Sequence, residues 1–179
     1  MEKAKLTSFN TERLALRQMT GEEWHLMVDR IAESGEFYDM FACEMTKRQL
    51  IKVHGMFENR KTIAYSIFIP DNDEAIGFIE FYIDEESCDC NHIGYCIFEE
   101  YRRQGYASEA ASALIEKILS GELTGSPVDE IRAWIVWGNN ASSAVLRKTG
   151  FCSAGYRVYD DGLIRQDFIY APVGMEETA

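Results

Sequence analysis

A chain of 179 residues, 46% hydrophobic and 27% charged, is long enough to bury a core as one domain, and its composition is that of a globular protein. Eighteen Lys and Arg against 30 Asp and Glu leave a net charge of −12, which argues against a nucleic-acid partner, whose phosphates need Lys and Arg. No apolar run approaches the roughly 18 residues of a membrane span, and "MEKAKLTSFN" has no apolar stretch behind its lysines, so neither a membrane partner nor a signal peptide is expected and the cytoplasm is the expected location. "RLALRQM" (Arg13 to Met19) alternates and predicts a first strand. "TGEE" at Thr20 to Glu23 has the capping-box form, and Trp24, Met27, Val28 and Ile31 follow at helical spacing. A second start, "TKRQ" at Thr46 to Gln49, precedes Leu50, Val53 and Phe57 and predicts a second helix after the aromatic stretch "GEFYDMF".

"TIAYSIFI" (Thr62 to Ile69) and "IGFIEFYI" (Ile76 to Ile83) are strands by β-branched and aromatic content, joined as a hairpin by "PDNDEA". "HIGYCIF" (His92 to Phe98) is the next strand. Ala107, Ala110, Ala111, Leu114, Ile115 and Ile118 then form one apolar helical face. "IRAWIVW" (Ile131 to Trp137) is a strand, so the strand–helix–strand unit predicts a parallel pair. A short helix over "NNASSAVLRKTG" and a hairpin about Asp161-Gly162 complete an α+β, or mixed α/β, domain around one sheet, with a single domain over residues 1–179. The five cysteines (Cys43, Cys88, Cys90, Cys96, Cys152) are odd and scattered and read as reduced thiols. "CDCNH", with Cys88, Cys90 and His92, lacks a second ligand pair at zinc spacing and reads as a turn, so no metal is expected.

The most informative segment is the turn between Phe98 and the alanine-rich helix. A helix N-terminus offers about four unpaired N–H groups and partial positive charge, and a tight glycine turn before it aims more N–H groups at the same point. Arg102, Arg103, Gln104, Gly105, Tyr106 and Ala107 supply such a turn; the arginines add charge, small Ala107 admits close approach, and Ser108 can cap the helix or donate to an oxygen. Two phosphates suit this site. It lacks both G-x-x-x-x-G-K-[ST] and G-x-G-x-x-G, so neither a nucleoside triphosphate nor a dinucleotide is expected.

"IGYCIFEEYRRQGYASEAASALI" resembles the acyl-CoA core of the GNAT superfamily of N-acetyltransferases, whose pyrophosphate signature Arg/Gln-x-x-Gly-x-Gly/Ala reads here as Arg102-x-x-Gly105-x-Ala107. "NNASSAVLRKTGF" resembles the family's Asn-x-x-Ser…Leu-x-Lys-x-Gly-Phe segment, and "TERLALRQM" and "DDGLIRQDFIY" are similar to the RimJ/RimL branch. The resemblance spans nearly the whole chain. It implies a mostly antiparallel twisted sheet whose one parallel pair splays to hold CoA. It also implies acetyl-CoA as co-substrate, with its arm along Cys96, Ile97 and Phe98, its phosphates on the amides of 103–108, and Asn139 and Ser142 across the gap. The oxyanion donor is then a backbone N–H near Ile97. Many members place an acidic Tyr on the last helix, where this chain has Leu146; the branch instead has a serine, so Ser142 is the expected acid or thiolate partner. Many relatives carry a strand glutamate where Asn91 or His92 stands here, so the candidate bases are His92, which titrates in the right range, and Glu80, which interrupts the apolar run "GFIEF". Phe37, Tyr38, Phe41, Tyr82 and Tyr156 are candidate linings of an acceptor pocket. The expected partner is an amine: a protein N-terminus, a polyamine or another small amine. A CoA-binding sensing module without catalysis is the alternative, and a homodimer is one assembly the sequence leaves open.

Overall fold

Local signals set the first elements, with one addition. In the computed structural model, which describes residues 8–34, 62–70, 72–82, 91–159 and 162–170, the strand predicted over 13–19 shortens to β2 (Ala15–Gln18) and is preceded by β1 (Ser8–Asn10). The turn between them is held by the Leu14 N–H, which donates to Thr11 Oγ1 at 3.0 Å. The capping box then opens α1 (Gly21–Ser34): the Thr20 N–H donates to Glu23 Oε2 at 2.7 Å, and the Glu23 N–H donates back to Thr20 Oγ1 at 3.2 Å. Two otherwise orphaned donors are thereby satisfied. The second predicted helix, the 35–41 aromatic stretch, Cys43 and the Cys88/Cys90 turn lie outside the described residues.

Next come β3 (Thr62–Phe68), β4 (Gly77–Tyr82), β5 (His92–Ile97), a single 3-10 turn at Glu99–Tyr101, α2 (Tyr106–Leu119), β6 (Ile131–Val136), α3 (Asn140–Lys148), β7 (Cys152–Val158) and β8 (Ile164–Tyr170). The strands form one sheet in the order β1-β2-β3-β4-β5-β6-β8-β7. Every pairing is antiparallel except β5–β6, as the strand–helix–strand unit predicts. Among the described residues no helix is long and apolar enough to cross a membrane.

Period-two alternation divides the sheet between two cores. On one face Ala110, Ala111, Leu114, Ile115 and Ile118 of α2 are buried against the sheet, in a core that includes Ile79, Phe81 and Ile93. On the other, Trp24, Met27, Val28 and Ile31 of α1 pack with Phe78, Cys96 and Phe98.

The parallel pair is where the sheet opens. Its single register pair is His92↔Arg132, with the Arg132 N–H donating to Asn91 O at 2.8 Å. At the far end of β5 the Phe98 N–H donates to Ile76 O, on the β4 side, at 2.9 Å. Because strand amides alternate direction, the N–H and C=O groups of Tyr95 and Ile97 turn toward the gap between β5 and β6.

Candidate active site

The gap widens into a cleft of about 1230 Å³ that reaches from Glu80 and His92 to the turn before α2 and the first turn of α3. At the turn, Arg103 (φ 63°) and Gly105 (φ 86°) are both left-handed. Such residues between right-handed and extended neighbours rotate successive N–H groups toward one point, which makes a concave anion site. Gly105 is also the N-cap of α2 and makes no side-chain cap. The alternative role of Ser108 as a cap therefore falls away: it is the third residue inside α2, buried, and lines the cleft.

The arginines are deployed differently from one another. Arg102 turns back and donates through Nε to Ile97 O at 2.8 Å, while Arg103 is exposed at the cleft edge. A third arginine, which the sequence did not single out, braces the turn. Arg13 donates through Nη1 to Gln104 O at 3.0 Å, pairs with Glu109 through Nε at 2.8 Å and lies 4.9 Å over the Tyr106 ring. Burial works to raise the Glu109 carboxyl, but the Thr11 hydroxyl and the Arg13 contacts outweigh it and hold it below its usual range. Two of the expected cofactor residues have side chains off the cleft wall. Phe98 is buried among the α1 residues with Arg30 stacked 4.0 Å from its ring, and Gln104 is exposed.

Across the gap, Asn139 caps α3, its Oδ1 accepting from the Ser142 N–H at 3.0 Å. The Ser142 hydroxyl is thus not the cap, and Ser142 lines the cleft. Tyr95 reaches over from β5 and donates its hydroxyl proton to Ser142 O at 3.1 Å. Burial pushes the Tyr95 phenol well above its ordinary value, so it stays protonated across the neutral range. Leu146, at the position where many relatives have a tyrosine, is 1% exposed in the core.

The far end of the cleft lies on the α1 face. Glu80 of β4 faces Gly94 of β5, and a Cβ on residue 94 would stand 2.9 Å from Glu80 Oε1. The glycine makes room for a carboxyl that is 6% exposed. The Tyr82 hydroxyl donates to Glu80 Oε1 at 2.5 Å. Burial raises the carboxyl to about 7, with the Tyr82 bond opposing it. His92 begins β5 beside them, its ring 6.1 Å from Tyr82 and 5.6 Å from Trp134. Burial pulls its imidazole down to about 4; Asp167 raises it and Arg157 lowers it further. The expectation that His92 titrates near neutrality therefore gives way, because a charged imidazole is poorly solvated between two rings. The group poised near pH 7 is Glu80. Tyr82 lines the cleft, whereas Tyr156 is paired with Gln166, opposite Ile135, on the α2 face and packs in the open against Trp137 at 4.7 Å.

The acetyltransferase (GNAT) domain family matches residues 13–152. The chain is 26% identical over 175 residues to the uncharacterized N-acetyltransferase YoaA of Bacillus subtilis (strain 168), covering 93% of this chain and 97% of the relative. Its fold is shared with the ribosomal L7/L12 alpha-N-protein acetyltransferase RimL (TM-score 0.70, 18% identity, 93% and 94% of the two chains). It is also shared with AAC(6')-Ib in complex with Parmomycin and AcetylCoA (TM-score 0.71, 18% identity, 93% and 98%).

Proposed function

This chain belongs to the GNAT acetyltransferase family, and we propose that it moves the acetyl group of acetyl-CoA onto the α-amine of a polypeptide N-terminus by direct attack. The observation that carries this reading is the buried Glu80 carboxyl, raised to about 7, in the same cleft as the turned-out edge of β5. The pantetheine arm lies along Tyr95 and Ile97 as an added strand. The diphosphate rests on the amides of 103–108. The amine lone pair attacks the thioester carbon, the N–H proton passes to Glu80, and the carbonyl oxygen becomes an oxyanion held by a backbone N–H near Ile97. The C–S bond then breaks, and the thiolate takes a proton through Ser142.

The acceptor class follows from when both partners are ready. Glu80 is ionised above about 7. An α-amine is free base above roughly 8, but an alkylamine only above roughly 10.4. At about pH 8 a peptide starting with alanine should therefore be acetylated with a kcat/KM at least about tenfold above that of spermidine. Release of free CoA thiol measures both. A spermidine rate equal to or above the peptide's would move the acceptor to polyamines, and no release with either would sink the N-terminal reading.

Ser142→Ala should lower kcat about tenfold while leaving the KM for acetyl-CoA within about twofold, because protonating the leaving thiolate matters mainly in the transition state. Steady-state kinetics at saturating peptide gives both numbers. An unchanged kcat would make Ser142 structural.

A further inference from the structure

On the α1 face of the cleft, two polar groups sit on neighbouring strands. Tyr82 is the cross-strand partner of His92 and Gly94 that of Glu80, so Glu80 and His92 are diagonal neighbours on one face. Such neighbours are roughly 7–8 Å apart, near enough to flank a single nitrogen. Gly94, next to His92 on this face of β5, has no side chain of its own, and the Glu80 carboxyl lies over it, Oε1 standing 2.9 Å from where a Cβ would be. Glu80 Oε1 is engaged by the Tyr82 hydroxyl. His92, 8% exposed, lines the cleft, and its Nε2 is buried with no hydrogen-bond partner among the described residues. A buried ring nitrogen left unsatisfied is costly, and a ligand N–H in the cleft would remove that cost.

We propose that His92 Nε2 receives the N–H that stays on the acceptor nitrogen throughout the reaction, and so selects primary over secondary amines. The assignment rests on the acetyl-transfer reading above. A neutral primary amine has two N–H groups. One proton leaves to Glu80 as the C–N bond forms; the other remains in the product amide. His92 is held neutral by its burial, so its ring accepts a hydrogen bond without competing for the proton. The flanking Tyr82 and Trp134 rings restrict where the imidazole can point. A secondary amine has only the proton that must leave, and would strand Nε2 against a methylene. Sites built around such a hydrogen bond reject ligands that lack it more strongly than apolar pockets reject a change in size.

Two non-reactive CoA thioethers test this without adding bulk. One ends in S–CH2–C(O)–NH–CH3, as the acetylated amine would; the other replaces the N–H by oxygen, S–CH2–C(O)–O–CH3. Wild-type protein should bind the amide at least about tenfold more tightly than the ester. In His92→Phe, which keeps an aromatic ring between Tyr82 and Trp134, the two should agree within about twofold. In wild-type protein the His92 Nε2 NMR resonance should shift with the amide and not with the ester, a readout that needs no variant. Equal binding by wild type, or a preference that survives in His92→Phe, overturns the assignment. Failure of both thioethers to bind overturns the acetyl-CoA reading itself, and the assignment with it.

Discussion

Glu80→Gln should lower kcat/KM for an N-terminal peptide by about a hundredfold, the usual scale of a lost general base, and leave in the acidic limb of its pH profile only the amine's own ionisation at roughly 8. In wild type the amine's ionisation gives a fall of about tenfold per pH unit below roughly 8, and below about 7 the limb steepens to about a hundredfold per unit, because a protonated carboxyl cannot take the amine's proton. Burial is the main cause of the raised value, and the Tyr82 hydroxyl bond partly offsets it. His92, neutral down to about 4, contributes nothing to that limb. The same burial makes a stability prediction of definite sign. Between its ordinary value of 4.5 and about 7, the folded protein holds the Glu80 proton and the unfolded chain does not. Stability therefore falls as pH rises through this window, by about 3 kcal/mol if the whole shift counts. Glu80→Gln removes that loss, so its thermal midpoint should gain on wild type between about pH 4 and pH 8. A variant that is slower but not relatively more stable at the higher pH would place Glu80 outside the buried environment described here.

Gly105→Val should weaken CoA binding by roughly a hundredfold, as loss of one or two hydrogen bonds to charged phosphate would. Gly105 sits at φ +86°, and a Cβ there would also come within 3.4 Å of Arg13 Nη2. A β-branched residue in this region is strained. Relief of the strain rotates the amides of 104–106 away from their common focus and disturbs the Arg13 brace on the Gln104 carbonyl. Calorimetric titration with CoA reads the affinity, and a circular dichroism spectrum like that of wild type confirms that the sheet survives. Unchanged affinity would remove the diphosphate from this turn.

What could be read from the sequence divides by range. The capping box at Thr20–Glu23, the apolar stripe of α2 and the left-handed glycine before it are set by neighbours within one or two helical turns, and each has a residue signature. β1 has none: "SFN" is three residues long and exists through its pairing with Arg17, Leu16 and Ala15. The candidate site was legible as a list of residues but not as chemistry. Glu80 stood out as an acid in an apolar run, yet its raised pKa depends on facing Gly94 across a strand pair. His92 read as a turn histidine because its burial comes from Tyr82 and from Trp134, 42 positions away. Arg13 meets Glu109 at a separation of 96 residues, and Tyr95 meets Ser142 at 47, so neither contact leaves a local pattern.

Amide hydrogen exchange with and without CoA tests most directly whether the β5–β6 gap and the turn beyond it hold the cofactor. Addition of CoA should slow the amides of Tyr95 and Ile97 and those of 103–108, and leave the exposed edge strand β7 unchanged. Protection confined to other elements, with the β5 edge and the turn exchanging as in the free protein, would contradict the placement on which the rest of the mechanism depends.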